Sequence, residues 1–262
     1  MDLQLKGKVA LISGSTKGIG FASAKLMAGE GAHVIVNGRT QAAVADALAR
    51  IRQIHPHAML DGFAADLATV AGANTLVAKF PDVDILVNNL GIFERKLFEE
   101  IDDAEWQRFF EINVMSGVRL SRAYLAGMKR RNWGRIVFVS SESGIQIPDN
   151  MIHYGMTKTA QLSISRGLAE TCVGTQVTVN AVLPGPTLSE GNRAGIAKRA
   201  PGRPLPEFEK EFFEKVRPSS LLKRYATPDE VASMIAYVCS PLASATNGAA
   251  LRVDGGVVRA CF

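Results

Sequence analysis

The sequence predicts a doubly wound α/β domain built on a seven-stranded parallel sheet with helices on both faces. Short β-branched apolar runs alternate with longer amphipathic ones along nearly all of the 262 residues. The strand candidates are apolar without alternation, as expected of strands covered on both faces. A glycine-rich turn, SGSTKGIG (13–20), joins the first such run to the first helical pattern.

Taken in order, KVALIS (8–13), HVIVN (33–37), MLDGFAAD (59–66), VDILVNN (83–89), RIVFVSS (135–141), VTVNAVLP (177–184) and AALRVDG (249–255) read as strands. Helical patterns fill roughly 18–30, 41–54, 68–79, 102–131, 151–172 and 228–240. The last opens with Thr227 as N-cap, Pro228 at the first helical position and Glu230 closing a capping box. Residues 188–224 break the rhythm. They carry no strand signal and many Pro, Gly and charged residues, which reads as a lid inserted in one domain spanning 1–262.

Composition excludes several classes. Apolar residues make up 47% and charged residues 21%, an ordinary globular balance, and the net charge of +5 is modest with no basic run interleaved with aromatics. No apolar stretch is long enough to span a bilayer. Cys172, Cys239 and Cys261 are an odd set without C-x-x-C spacing, so neither a disulfide framework nor a metal site is expected, and a cytoplasmic location fits. His55 and His57 flank Pro56 in a helix-to-strand connection and read as a turn. No nucleic-acid or membrane partner is expected.

The glycine turn carries chemistry. Gly14, Gly18 and Gly20 permit a tight bend, close approach of a phosphate to the backbone, and close helix–sheet packing. Free amides and the dipole at the helix start favour a pyrophosphate. The second strand runs out into Asn37, Gly38, Arg39 and Thr40, where a carboxylate would otherwise receive an NAD ribose. Arg39, with Lys17 in the turn, suits the 2′-phosphate of NADP instead. A tyrosine and a lysine four apart, Tyr154 and Lys158, share one helix face. A free tyrosine has a pKa near 10, and a lysine cation one turn away would lower it toward usefulness in proton transfer.

These motifs resemble the short-chain dehydrogenase/reductase family over nearly the whole chain. SGSTKGIG is similar to that family's TGxxxGIG turn, with Ser13 keeping the hydroxyl. NNLG (88–91) is similar to NNAG, with Leu90 replacing the alanine, and LPGPTLSEG is similar to the family's PG motif, with Ser189 in place of threonine. Ser141 precedes Tyr154 by thirteen residues, the family spacing, which favours it over Ser140. Singly, each residue has a plain structural use: Ser141 as a strand-end cap, Asn113 at a helix bend, Tyr154 and Lys158 as a surface pair. Five motifs in order are specific.

The resemblance implies a Rossmann-type fold and catalysis by Asn113, Ser141, Tyr154 and Lys158. It implies NADP contacts from Gly14, Thr16, Lys17, Gly18, Ile19, Gly20, Arg39, Asp66, Leu67, Asn89, Gly91, Tyr154, Lys158, Pro184, Gly185, Thr187 and Ser189. A hydride would pass between NADP(H) and a small carbonyl or secondary alcohol. Alternatives are a 3-oxoacyl-carrier-protein reductase, an NAD-linked sugar or polyol dehydrogenase, and a non-catalytic cofactor sensor. The family usually forms homotetramers through helices 102–131 and 151–172 and through C-terminal segments. The lid cations Arg193, Lys198, Arg199 and Arg203 are followed at once by Glu207, Glu209, Glu211 and Glu214, which argues against an acidic substrate. His153 reads as a cleft or surface residue, and Phe208, Phe212 and Phe213 as residues of the lid.

Overall fold

The computed structural model describes residues 2–261. Seven strands, β1 (Val9–Ile12), β2 (His33–Gly38), β3 (Leu60–Ala64), β4 (Ile85–Asn88), β5 (Gly134–Val139), β6 (Val177–Pro184) and β7 (Ala250–Val253), form one sheet in the order β3-β2-β1-β4-β5-β6-β7. Every neighbouring pair is parallel. The order reverses between β1 and β4, and at such a switch point the carboxyl ends of the strands open a crevice for a ligand.

Both faces of each central strand are apolar. In β1, Ala10 and Ile12 pack on one side with α1 (Gly18–Gly29), α2 (Gln41–Ile54) and α9 (Pro228–Cys239). Leu11 packs on the other side with α3 (Val70–Lys79), α5 (Ser116–Arg130) and the end of α6 (Ile152–Glu170). This two-sided burial is why the strands show no alternation in sequence. Thr227 and Glu230 form the expected reciprocal capping box at α9. Among the described residues, no helix is long and apolar enough to cross a membrane.

Two stretches differ from the sequence reading. The single helix expected over 102–131 is α4 (Asp103–Phe110) and α5, joined through a π-helical turn at Glu111–Met115 that contains Asn113. The 188–224 stretch is largely helical. It holds α7 (Glu190–Arg199), α8 (Leu205–Glu211) and a π turn at Phe212–Val216, around a cluster of Ile196, Phe212, Phe213 and Tyr225. Ser189 caps α7 by accepting from the Asn192 amide, and a proline in the first turn starts α8. Phe208, Phe212 and Phe213 thus build this segment's own core, while Phe212 also faces the cavity described below.

Candidate active site

The turn after β1 is fixed from behind by side chains. Gly14 and Gly18 have φ of +61° and +58°, the left-handed region that glycine enters without strain. The Gly14 amide donates to Asn37 Oδ1 (3.0 Å), and Asn89 Nδ2 donates to the carbonyls of Ser13 and Gly14 (both 3.0 Å). A Cβ on Gly20 would stand 2.5 Å from that Asn89 amide nitrogen, so only glycine fits. Ser13 Oγ accepts from the amides of Asn89 and Leu90, which shows what the hydroxyl at this position does. Leu90 turns its bulk into the core beneath the sheet.

The end of β2 is bonded to the same turn. Ser15 donates its amide to the Asn37 carbonyl, and a Cβ on Gly38 would stand 2.5 Å from Thr16 Cγ2. Lys17 and Arg39, both exposed, therefore emerge from abutting segments. Asp66 is exposed after β3 and accepts from the Ala68 amide, while Leu67 is buried. The free amide of Gly18, at the start of α1, donates to Glu190 Oε2 at 2.8 Å. A carboxylate thus sits on the helix N-terminus, the place where the dipole and free amides favour an anion. These residues fit a dinucleotide's phosphates: the glycines leave the bend open, and its leading amide already binds an acidic group, the Glu190 carboxylate that a phosphate would have to displace.

A cavity of about 740 Å³ opens over the carboxyl ends of β4, β5 and β6. Ile19, Asn89, Gly91, Pro184, Gly185, Thr187 and Ser189 line it together with Ser141, Tyr154 and Lys158. Thr187 Oγ1 donates to the Gly185 carbonyl. Ser140 spends its hydroxyl on the Lys158 carbonyl (2.8 Å). Burial raises the pKa of the Tyr154 phenol, and the neighbouring Ser141 hydroxyl and Arg217 oppose that rise while Glu142 adds to it. Lys158 is buried and its pKa falls to about 7 through desolvation. Its ammonium donates to the Val139 carbonyl (2.9 Å) and Gln161 Oε1 (3.3 Å) and lies 5.6 Å from the centre of the Tyr154 ring. Burial is thus the first influence on the Tyr154 phenol in this arrangement.

Asn113 is brought to the same place by the π turn. Its side chain accepts from the Ile92 amide (2.8 Å) and donates to the Ile92 carbonyl and Thr157 Oγ1 (both 3.0 Å). Its main-chain carbonyl accepts from Gln161 Nε2 at 2.5 Å. Lys158, Gln161 and Asn113 thereby form one buried hydrogen-bonded chain, and π turns frequently occur at such functional positions. His153 lies neither in the cleft nor at the surface. It is fully buried, with its ring 4.1 Å from that of Phe109 centre to centre, because its position on α6 faces α4 rather than the cavity.

Several residues of the cavity carry no motif and escaped the sequence reading. Ser141 Oγ donates to Glu142 Oε2 (2.6 Å), which also accepts from the Ser143 amide and hydroxyl. Arg217 Nε donates to the other Glu142 oxygen (3.0 Å) in a pair whose side chains are 12% and 5% exposed. Arg95 and Tyr225 complete the far wall. A serine followed by a glutamate gives no signal in sequence, since its partner Arg217 lies 75 residues away.

Comparison with known proteins agrees with this geometry. Residues 14–258 match a family profile described as "Enoyl-(Acyl carrier protein) reductase". The chain is 50% identical over 264 residues to "Uncharacterized oxidoreductase YvaG" of Bacillus subtilis, covering 100% of both chains. It is 30% identical over 260 residues to the 3-oxoacyl-[acyl-carrier-protein] reductase FabG of Aquifex aeolicus, covering 98% of this chain and 100% of that one. Its backbone is similar to that of the L-sorbose reductase from Gluconobacter frateurii complexed with NADPH and L-sorbose, with a TM-score of 0.91, 30% identity, and coverage of 99% and 100% of the two chains. With matches of this extent to oxidoreductases, the chain belongs to the short-chain dehydrogenase/reductase family.

Proposed function

We propose that the protein is an NADP(H)-dependent oxidoreductase that interconverts a carbonyl compound and its secondary alcohol. The observation that carries this reading is one cavity lined by Ser141, Tyr154 and Lys158 together with Ile19 of the glycine turn and Asn89, Gly91, Pro184 and Gly185. Gly14, Thr16, Gly18, Ile19 and Gly20 would hold the pyrophosphate. Asp66 and Leu67 would hold the adenine, and Asn89, Gly91, Pro184, Gly185, Thr187 and Ser189 the nicotinamide half. Lys17 and Arg39 would hold the 2′-phosphate, and a similar structure carries NADPH. When bound, the nicotinamide supplies or accepts the hydride.

The chain's own residues handle the proton. Tyr154 Oη donates to the carbonyl oxygen in reduction and accepts from the hydroxyl in oxidation. Ser141 orients that oxygen. Lys158, held by the Val139 carbonyl and Gln161 Oε1, would hold the nicotinamide ribose, and Asn113 would support a water-linked proton relay. Residues 188–224 act as the lid over the substrate, because Phe212, Lys198 and Arg199 face the cavity from this segment. A homo-oligomer through α4–α5 and α6 is in keeping with the exposed Phe110 on that side, and a cytoplasmic location with three free cysteines.

The reading is tested by Tyr154→Phe, with turnover followed by nicotinamide absorbance and binding by NADPH fluorescence. Turnover is lost while NADPH still binds; an unchanged kcat would refute the mechanism.

A further inference from the structure

The far wall of the cavity is more cationic than carbonyl reduction requires. Arg95, from the loop after β4, lines the cavity with Lys198 and Arg199, from the last turn of α7, and Arg217, which follows the π turn after α8; the charges of Arg199 and Arg217 act on Arg95. Two carboxylates line the same cavity, and neither pairs with Arg95, Lys198 or Arg199. Glu142 is held by Arg217, and Glu94 lies 3.2 Å from Arg108. Among the described residues, no ion pair includes Arg95, Lys198 or Arg199.

Of the lid cations, only Arg203 pairs in space with an acidic residue that follows them in sequence. Glu211 pairs with Arg203 and Lys215, and Glu209 accepts from the Tyr225 amide at 2.7 Å. The lid's cations therefore divide: Arg203 is satisfied outside the cavity, while Lys198 and Arg199 face into it. The unpaired guanidiniums crowd one another. Partial burial, then the charges of Arg199 and Arg217, make Arg95 a weaker base than an ordinary arginine. Packing holds them in place nonetheless. Arg95 lies over the Phe212 ring at 5.8 Å, and a Cβ on Gly195 would come within 3.1 Å of an Arg199 terminal nitrogen, so glycine leaves that side chain its room. The Tyr225 hydroxyl has its pKa pushed up to about 12 by burial, against the pull of Arg95 and Arg199, and so remains a neutral donor beside them.

We propose that the substrate carries an anionic group, a carboxylate or a phosphate ester, which Arg95 and Arg199 bind together with Lys198 and the Tyr225 hydroxyl. This rests on the reading of Tyr154 and Ser141 as the reacting end of the cavity. A planar guanidinium matches either anion through two parallel hydrogen bonds. The chain Ser141–Glu142–Arg217 spans from the reacting end to the cationic wall in two hydrogen bonds, of 2.6 and 3.0 Å. Arg217, whose charge acts on Arg95, thus links the two ends of the cavity, and a short oxoacid or a ketose phosphate is the size of substrate tested.

The test measures kcat/KM, with each cofactor, for two matched pairs: acetoacetate against methyl acetoacetate, and dihydroxyacetone phosphate against dihydroxyacetone. The anionic member of at least one pair is preferred by about 10- to 100-fold, the worth of charge-assisted hydrogen bonds. That ratio collapses toward one in Arg95→Ala and Arg199→Ala. It persists in Arg193→Ala, whose side chain is on the same helix but not in the cavity, so a general charge effect would move all three alike. Preference within the first pair assigns a carboxylate and within the second a phosphate. Equal rates within both pairs, unmoved by the Arg95 and Arg199 variants, overturn the proposal while leaving the oxidoreductase reading intact. If none of the four compounds is reduced, calorimetry with malonate and inorganic phosphate decides. Binding of either to the wild type, lost in the Arg95→Ala/Arg199→Ala double variant, upholds the anion site; no binding refutes it.

Discussion

Arg217→Met tests the buried pair behind Ser141 most directly. Glu142 and Arg217 side chains are 5% and 12% exposed, so the substitution leaves a carboxylate out of water without its cation. Breaking a buried pair from one side costs about 3–5 kcal/mol. Glu142 keeps its bonds from Ser141 Oγ and from the amide and hydroxyl of Ser143, which lowers the expectation to about 2–3 kcal/mol. For a chain of this size each kcal/mol moves Tm by about 2–4 °C, so calorimetry should record a loss of about 4–12 °C. Glu142→Gln/Arg217→Met, with neither charge, should recover much of that loss.

The same two charges act in opposite directions on Tyr154, Arg217 lowering its pKa and Glu142 raising it. In alcohol oxidation the deprotonated phenol is the base, so the rate rises with pH through the tyrosine's pKa. Arg217→Met should therefore move that limb to higher pH, and Glu142→Gln to lower pH. A Tm change under about 1 °C, or a shift of both pH limbs in one direction, refutes the coupling of this pair to the tyrosine.

Three further outcomes are expected. Arg39→Asp should cost NADPH about tenfold or more in kcat/KM and gain NADH, since it replaces a phosphate donor with a ribose acceptor; an unchanged ratio would count against the NADP assignment. Glu190→Ala frees the Gly18 amide at the start of α1 and should tighten NADPH binding by about two- to fivefold in fluorescence titration, with weaker binding as the contrary result. Glu230 has its pKa lowered to about 2 from an ordinary 4.5, chiefly by Arg224. Its stabilisation is thus complete above pH 4.5 and lost as pH falls toward 2. The site is 41% exposed, so the contribution is under about 1 kcal/mol, and Glu230→Gln should flatten the fall of the urea midpoint in that window.

What the sequence disclosed depended on how local the physics is. Strand and helix order follow from runs of neighbouring residues, and the capping box Thr227–Glu230 from a three-residue spacing, so both could be read directly. The break in 102–131 could not. A π turn adds one residue to a helix without disturbing its apolar face enough to notice, yet it is what gives the Asn113 carbonyl to Gln161. The helices of 188–224 were masked by Gly191, Gly195, Pro201, Gly202 and Pro204, residues that lower helix propensity even where Ser189 supplies a good cap. The charge balance of that segment misled for a related reason. Along the chain the glutamates follow the cations and seem to cancel them. In space, Glu211 turns to Arg203 and Lys215, Glu209 accepts from the Tyr225 amide, and Lys198 and Arg199 are left facing the cavity that Tyr154 lines. Net charge is a sum over sequence, whereas a substrate meets only the charges on the wall it touches, so a segment that looks balanced along the chain still presents Lys198 and Arg199 to the cavity.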